Sequence, residues 1–336
     1  MNRAFPLILI FLCLYFALAA KNLQLQYALD YSFWGNYYPD QGKKEITYKD
    51  LLDLETGLTG QFGKVDSLWL TISFYNDQYE KSVRLEKTGF CLNSADWQYG
   101  YLYERNAGIG RYSRIYPQIL YSKYHLQPYI ISYNASGAFL TRQTGNSNWK
   151  FVIGGNEFNS FCSSLDWQLE SAEYLHDLQI LVMSRDNYYL KGMASINYEG
   201  YRHWKWLWLS AAGSAQYLVS HSDSEDLKIQ STGFAEAIIL WSKWLQTGAN
   251  MQGRWLGTRE KEKQFTVFTG MQAQKHSIRL LYNQEEWEIA NRMECFSTVY
   301  WYEIRPGLKA GGLARMYMPQ YGADFYEVGM QVSFRK

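Results

Sequence analysis

The stretch YEVGMQVSFRK, residues 326–336, ends the chain and alternates between apolar and polar side chains. Its apolar residues are Tyr326, Val328, Met330, Val332 and Phe334. Because successive side chains of a strand point to opposite faces, these five would share one face. The last residues of a soluble domain are usually poorly ordered, so a pattern this regular indicates that the segment has a structural role. It predicts a terminal β-strand that pairs with another part of the chain.

The same alternation runs through most of the chain after residue 20, for example in NLQLQYALDYSF (22–33) and in residues 227–241. Helical periodicity is scarce. Short breaks such as Gly63-Lys64 and Arg305-Pro306 alternate with longer polar breaks. The pattern predicts an all-β fold of about eighteen strands, or sixteen if two short strands within residues 141–200 merge. Both numbers are even, as a single-chain bacterial barrel requires.

The composition indicates where the apolar face lies. The chain has 336 residues, 18% of them aromatic, with 29 Tyr, 17 Phe and 13 Trp. Tyr and Trp suit boundaries between water and apolar surroundings. The formal net charge of +1 gives no indication of nucleic acid as a partner. An apolar face capped by aromatic residues, opposite a face of small and polar residues, is typical of a closed antiparallel transmembrane β-barrel.

The first residues, MNRAFPLILIFLCLYFALAAK, predict a secretory signal peptide over residues 1–20. Arg3 supplies the positive region, and Leu7 to Phe16 form a short apolar run. Ala17 to Ala19 provide small residues at a cleavage site. A retained membrane anchor is the alternative, and the run is short for a spanning helix. Residues 21–336 are then expected to form one barrel domain.

On these residues the chain resembles a Gram-negative outer-membrane β-barrel of the porin type. The resemblance covers the whole chain and rests on pattern, so it identifies no particular porin or transporter family. It implies that the barrel-assembly machinery recognises the terminal strand through the five apolar residues from Tyr326 to Phe334. Arg335 and Lys336 depart from the family pattern, which usually ends on the aromatic residue. To close the barrel, we expect Leu23–Phe33 to pair with Tyr326–Phe334, because an open sheet edge is not tolerated in lipid.

A charge on the lipid face of a barrel costs about 2–4 kcal/mol for Arg or Lys at mid-bilayer, so charged residues of the strands should face the interior. The expected pore-lining residues are Glu55, Arg84, Glu86, Glu104, Glu236, Arg254, Arg279, Arg292, Glu294, Lys309, Arg315 and Glu327. Two interpretations stay open. The charges pair and fill the barrel, or they line a wet channel and set its selectivity.

The resulting hypothesis is a passive porin-like channel for small hydrophilic solutes in the bacterial outer membrane, in contact with outer-membrane lipid. The alternative is a non-conducting structural or interaction barrel that anchors or exports surface material. The histidines are scattered and no catalytic arrangement stands out. We therefore expect no enzyme, no metal site and no cofactor. The sequence leaves the solute and the oligomeric state open.

Four smaller segments carry expectations of their own. Residues 105–126 are the least periodic and are expected to form an outer loop, a loop folded into the lumen, or a further strand. REKEK (259–263) predicts a solvated loop, with a surface-binding patch as the alternative. The tryptophans at 204, 206 and 208 predict one strand face, either in the lipid girdle or as an inner aromatic track for sugars. Cys91, Cys162 and Cys295 are expected on strands, unpaired.

Overall fold

The computed structural model describes residues 21–38, 45–62, 65–77, 81–109, 131–155, 161–184, 190–220, 229–256, 259–287 and 291–335. These residues form antiparallel strands and the short turns between some of them. None of the described residues belongs to a helix long and apolar enough to cross a membrane. The predicted signal peptide, residues 1–20, lies outside the described residues.

Eighteen strands are present in the described part of the chain. The first nine are β1 (Lys21–Tyr38), β2 (Glu45–Phe62), β3 (Val65–Asp77), β4 (Lys81–Ser94), β5 (Trp97–Ile109), β6 (Ile131–Thr144), β7 (Ser147–Gly155), β8 (Phe161–Glu170) and β9 (Tyr174–Ser184). The second nine are β10 (Leu190–His203), β11 (Leu207–Ser220), β12 (Ile229–Leu240), β13 (Leu245–Leu256), β14 (Arg259–Ala273), β15 (His276–Trp287), β16 (Asn291–Arg305), β17 (Leu308–Pro319) and β18 (Phe325–Arg335). The predicted all-β class and the even strand number are confirmed.

The sheet closes on itself. Each strand pairs with its sequence neighbours, and β18 also pairs with β1, where Leu29 lies opposite Phe334 and Tyr37 opposite Tyr326. The predicted closing strands are therefore right, but the paired segment of β1 is Ala28 to Tyr37 rather than the predicted Leu23–Phe33. The pairing with β18 begins at Ala28 and ends at Tyr37, one residue before the end of β1, while Leu25 pairs with Leu58 of β2. Closing a barrel requires neighbouring strands to be staggered, and alternation alone does not reveal that stagger.

The two ends of the barrel differ in the length of their connections. At one end, the short-turn rim, consecutive strands are joined by two to four residues, beginning with residues 63–64 between β2 and β3. At the other end, the long-loop rim, the connections run from two residues to the 21 residues 110–130. With eighteen strands, Lys21 and Arg335 both lie at the short-turn rim. This asymmetry was predicted from the polar breaks and is confirmed.

Four of the two-residue turns contain left-handed backbone. The φ angles are 52° at Ala95, 49° at Gln274, 57° at Gly145 and 80° at Gly307. Two-residue hairpin turns favour this conformation because its twist matches that of the flanking strands, and glycine adopts it without strain. The turns fix the register of four hairpins and hence which residues of each strand face inward.

Side chains alternate between a buried inner face and an exposed, apolar outer face. On β18, the outward-facing Val328 and Met330 are 61% and 62% exposed, whereas the inward-facing Glu327 is 1% exposed. Val267, Leu280 and Val332 are also exposed on the outer face. The predicted orientation, apolar residues outward and polar residues inward, therefore holds for these strands.

Three segments differ from expectation. REKEK (259–263) forms the start of β14 rather than a loop, because Glu262 and Lys263 pair with residues of β13 and β15. Trp204 and Trp206 lie in the turn before β11 and only Trp208 lies on the strand, facing inward, so the three do not share a strand face. Residues 105–109 belong to β5, and the rest of the aperiodic segment, 110–126, lies outside the described residues.

The three cysteines match their prediction. Cys91 on β4, Cys162 on β8 and Cys295 on β16 are buried and form no disulfide within the described part of the chain. Each lies on the inner face of its strand, because both of its sequence neighbours are more exposed than it is.

Candidate functional site

The candidate site is the inner wall of the barrel, which contains an apolar belt and two polar networks. The apolar belt runs across β11 to β17 and consists of Trp208, Ile238, Phe268, Leu281, Val299 and Leu313. The alternating pattern predicts a polar inner face and does not reveal this belt. Where two consecutive residues are apolar, as at Leu280 and Leu281, the sequence does not show which one faces lipid; Leu280 faces outward and Leu281 inward.

The first polar network joins β14 and β15. Gln264 Nε2 donates to Asn283 Oδ1 at 2.8 Å, and Thr266 Oγ1 donates to the same oxygen at 2.7 Å. Asn283 Nδ2 in turn donates to Glu285 Oε1 at 2.8 Å. All four side chains are buried. Hydrogen bonds that connect buried polar groups fix their orientation, so this part of the wall presents a fixed set of polar atoms.

A buried ion pair joins β17 and β18. Arg315 and Glu327 are cross-strand partners, with Nη1 and Oε1 2.7 Å apart and side chains 4% and 1% exposed. Tyr317 donates its hydroxyl hydrogen to Glu327 Oε2 at 3.4 Å. Charges this deeply buried persist only when paired and hydrogen-bonded, and removing one partner leaves the other without compensation.

The second polar network lies on β9 to β13. Asn197 Nδ2 donates to Gln179 Oε1 and to Ser195 Oγ, both at 3.1 Å. Farther around the wall, Asn250 Nδ2 donates to Glu236 Oε2 at 3.4 Å. Uncharged amides thus supply much of the inner polarity. These amides are absent from the predicted pore-lining set, which contains only charged residues, although the alternation with exposed Ile196 and Tyr198 marks Asn197 as inward-facing.

Acceptor oxygens are in excess near β8 to β10. Asp166, Asp177 and Glu199 lie on the inner face of three consecutive strands, and Lys150 of β7 is the cross-strand partner of Asp166. Among the described residues, Oδ1 of Asp166, of Asp177 and of Asn197 has no hydrogen-bond partner. Such oxygens can accept hydrogen bonds from a donor-rich group.

The interior is narrow between β5 and β10. Cα atoms of these strands come within 8 Å of each other, although the two strands are not neighbours in the sheet. Glu104 of β5 faces the interior close enough to Asp166 for the two charges to interact, and its Oε1 lies 3.7 Å from Nζ of Lys87. The narrow part of the barrel is therefore bordered by carboxylates from both sides.

The structure places most of the predicted pore-lining residues on the inner face. The assignment follows from the cross-strand pairing of each residue and from the burial of its neighbours. The residues on the inner face are Arg84, Glu104, Glu236, Arg254, Arg279, Lys309, Arg315 and Glu327. Arg254 forms an ion pair with Glu262, and the guanidinium of Arg279 lies 5.9 Å from the ring centre of Phe268. Whether these side chains line a conducting path stays a prediction.

Arg292 and Glu294 were expected inside and lie outside. Glu294 pairs with Gln284 of β15 and Met318 of β17. It lies two residues before exposed Phe296 on the same strand, so both side chains point to the outer face. Arg292 and Glu294 form an ion pair at 2.7 Å near the long-loop rim. The error has a physical cause. β16 is apolar on both faces, so its sequence does not reveal which face is inner, and charges near a rim escape the lipid penalty.

Two other predicted residues have no simple assignment. Glu86 lies at an irregularity of β4, between Leu85, which pairs with Ile72, and Lys87, which pairs with Thr71. A bulge of this kind breaks the alternation between faces. Glu55 pairs with Thr71 in β3, and its side chain lies outside what the structure describes.

The terminal strand meets its geometric expectation. Tyr326, Val328, Met330 and Val332 are exposed on the outer face, and Phe334 is partly exposed at the short-turn rim. Its recognition by the assembly machinery stays a prediction. Among the described residues, no three or more His, Cys, Asp or Glu side chains are placed to hold a metal ion.

The fold has known counterparts, whereas no protein-family model and no curated sequence matches the chain. OccK2 (OpdF) of Pseudomonas aeruginosa, solved with glucuronate, matches with a TM-score of 0.64 and 10% identity over 93% of this chain and 98% of that one. The outer membrane protein OpdK of the same organism matches with a TM-score of 0.61 and 8% identity, over 94% and 98%. The structure of OpdK with vanillate matches with a TM-score of 0.59 and 7% identity, over 94% of this chain and 98% of that one.

This chain has the outer-membrane β-barrel fold. The matches extend over nearly the whole of both chains, so they include the entire barrel rather than one group of strands. At 10% identity or less they carry no information about individual side chains, and the inner wall must be interpreted from its own residues.

Proposed function

We propose that this protein is a passive channel for small hydrophilic solutes across the bacterial outer membrane. The observation that carries the proposal is a closed eighteen-stranded barrel with an apolar outer face and polar, charged side chains on its inner face. The apolar face suits lipid, and barrels of sixteen to eighteen strands have room for an aqueous path. Glucuronate and vanillate, present in two of the similar structures, are small polar molecules and support this solute class.

The charge of the inner wall favours one kind of solute. Asp166, Asp177 and Glu199 lie together where the barrel narrows, and Lys150 offsets one of the three charges. Rings of carboxylates favour cations in a pore. The proposal therefore includes a preference for cations over anions at low salt.

A second candidate is supported by the burial of the inner wall. Thr266, Asn283 and Glu285 of the first polar network are each at most 1% exposed, which indicates dense packing around them. A densely packed interior suits a structural or interaction barrel that does not conduct. Assembly of either barrel would depend on the outer-membrane assembly machinery and the outward face of β18.

Recording current across a planar bilayer containing the refolded protein separates the two candidates. A channel gives discrete conductance steps, and the carboxylates should shift the reversal potential toward that of the cation in a tenfold salt gradient. At 1 M salt the preference should weaken, because the Debye length falls from about 30 Å at 0.01 M to about 3 Å. Refolded, membrane-inserted protein without steps at any voltage would support the non-conducting barrel instead.

A further inference from the structure

The outer face of β11 to β13 contains a groove of about 550 Å³. Its floor consists of four alanines, Ala211, Ala235, Ala237 and Ala249, here called the alanine groove. Ala211 and Ala235 are cross-strand partners, and so are Ala237 and Ala249. Four methyl side chains on three adjacent strands leave a depression in a surface that elsewhere carries large apolar residues.

Larger side chains border the groove. Leu209, Met251 and Phe265 lie around the alanines, and Met251 is 64% exposed. On the β10 side, Tyr198 lies over Gly200, where an added Cβ would be 2.5 Å from the tyrosine hydroxyl oxygen. That hydroxyl is 2.8 Å from Nδ1 of His176, which fixes the ring in place. The border is thus held by contacts within the protein.

Three cations lie at the short-turn end of the strands that form the groove. Arg202 lines the groove and is exposed near the end of β10, and Lys205 and Lys243 are exposed in the turns before β11 and β13. The exposed carboxylates at the neighbouring β8–β9 connection are Glu170 and Glu173, so these cations outnumber them. The apolar groove and its cationic end are together complementary to an amphiphile that has an apolar tail and an anionic headgroup.

Four exposed tryptophans mark the same level of the barrel. They are Trp204, Trp206, Trp241 and Trp244. The guanidinium carbon of Arg202 lies 5.0 Å from the ring centre of Trp204. Tryptophans of membrane proteins concentrate at the level of the lipid headgroups. The cations next to them are therefore placed where lipid phosphates lie.

We propose that the alanine groove binds one acyl chain of a phospholipid with an anionic headgroup, whose phosphate contacts Arg202, Lys205 and Lys243. In the bilayer the acyl chain gains van der Waals contacts with the groove, while the cations select the headgroup. This proposal requires insertion in a membrane and is independent of whether the barrel conducts.

A second groove on the outer face provides an internal comparison. It has a volume of about 680 Å³ and lies on β14 to β18, with Val267, Leu280, Phe296 and Ala314 in its lining. The outward-facing residues that line it are uncharged. It should accept acyl chains without discriminating between headgroups.

Native mass spectrometry of the refolded barrel in detergent, with equal amounts of phosphatidylglycerol and phosphatidylethanolamine, tests the proposal. We expect one phosphatidylglycerol to be retained in preference, with soluble glycerol phosphate unable to displace it. Replacing Arg202, Lys205 and Lys243 with Gln should weaken the headgroup preference about fivefold for each cation removed. The A235L/A237L variant should lose the preferential retention of phosphatidylglycerol, whereas A314L, which fills part of the second groove, should leave that preference unchanged.

Heat-dependent migration on electrophoresis shows that each variant forms a barrel before its lipids are counted. Equal retention of the two lipids, or unchanged retention after A235L/A237L, would overturn the proposal. A change in oligomer mass on filling the groove would also overturn it, since the occupant would then be a second copy of the chain. Conductance of the same preparation reports on the channel separately, so each proposal can fail without the other.

Discussion

Two ion pairs of the same length lie on opposite faces of this barrel. Arg315 and Glu327 lie inside, 2.7 Å apart, with side chains 4% and 1% exposed. Arg292 and Glu294 lie outside near the long-loop rim, also 2.7 Å apart, with side chains 46% and 32% exposed. Arg315 crosses to a neighbouring strand, whereas Arg292 meets a residue two positions along its own strand. The difference teaches that surroundings, rather than the contact distance, determine what a pair contributes.

The largest expected effect follows from breaking the inner pair. Replacing Glu327 with Gln leaves the guanidinium of Arg315 buried without its partner, so we expect a loss of about 3–5 kcal/mol in the free energy of unfolding. Urea unfolding in lipid vesicles, followed by tryptophan fluorescence, measures this loss. The R315M/E327L double variant should recover most of it, because two apolar side chains need no compensation. Equal instability of both variants would show that the pair is not the cause.

The second largest effect is expected from placing a charge on the outer face instead of the inner face of β18. Val332 faces outward and Gln331 inward on the same strand. Arg at position 332 should destabilise the inserted barrel by about 2–4 kcal/mol if that position lies near mid-bilayer, and by less nearer the rim. Arg at position 331 should be tolerated better. The same urea titration checks both, and similar tolerance of the two substitutions would contradict the assignment of faces.

A smaller effect concerns selectivity rather than stability. Replacing Asp166 and Asp177 with Asn removes two carboxylates from the narrow part of the interior and keeps the side-chain shape. We expect the reversal potential to shift away from the cation value, most clearly at low salt. Glu286→Gln is the matched control, since Glu286 faces outward beside Lys263. An equal shift in that control would indicate a general change of charge instead of a pore effect.

The smallest effect is expected at the outer pair. Arg292→Gln breaks a contact exposed to solvent at the rim, and such pairs contribute little to stability. We expect an unchanged unfolding midpoint and an unchanged reversal potential. A clear shift in either would show that Arg292 reaches the interior in the membrane.

Sequence reasoning recovered the fold because lipid imposes a strict rule on one face. Tyr326, Val328 and Met330 alternate with polar residues, and the outer face of β18 follows that alternation. The inner face obeys no such rule. Leu281 and Asn283 are both buried on the same face of β15, so an inward position tolerates apolar and polar side chains alike. Which face of β16 points inward, and how far β1 and β18 are staggered, both depend on the pairing with neighbouring strands. A single sequence does not reveal that pairing.

The central claim is that the inner face lines a path for solutes and the outer face does not. Lys309 and Arg292 are both exposed, on the inner and outer face respectively, and the native cysteines are buried. In a background with those cysteines replaced by Ser, Lys309→Cys and Arg292→Cys can each be treated with a bulky, membrane-impermeant thiol reagent during bilayer recording. The claim predicts smaller conductance steps for labelled Lys309→Cys and unchanged steps for labelled Arg292→Cys. Equal reduction in both variants, or no steps before labelling, would contradict it.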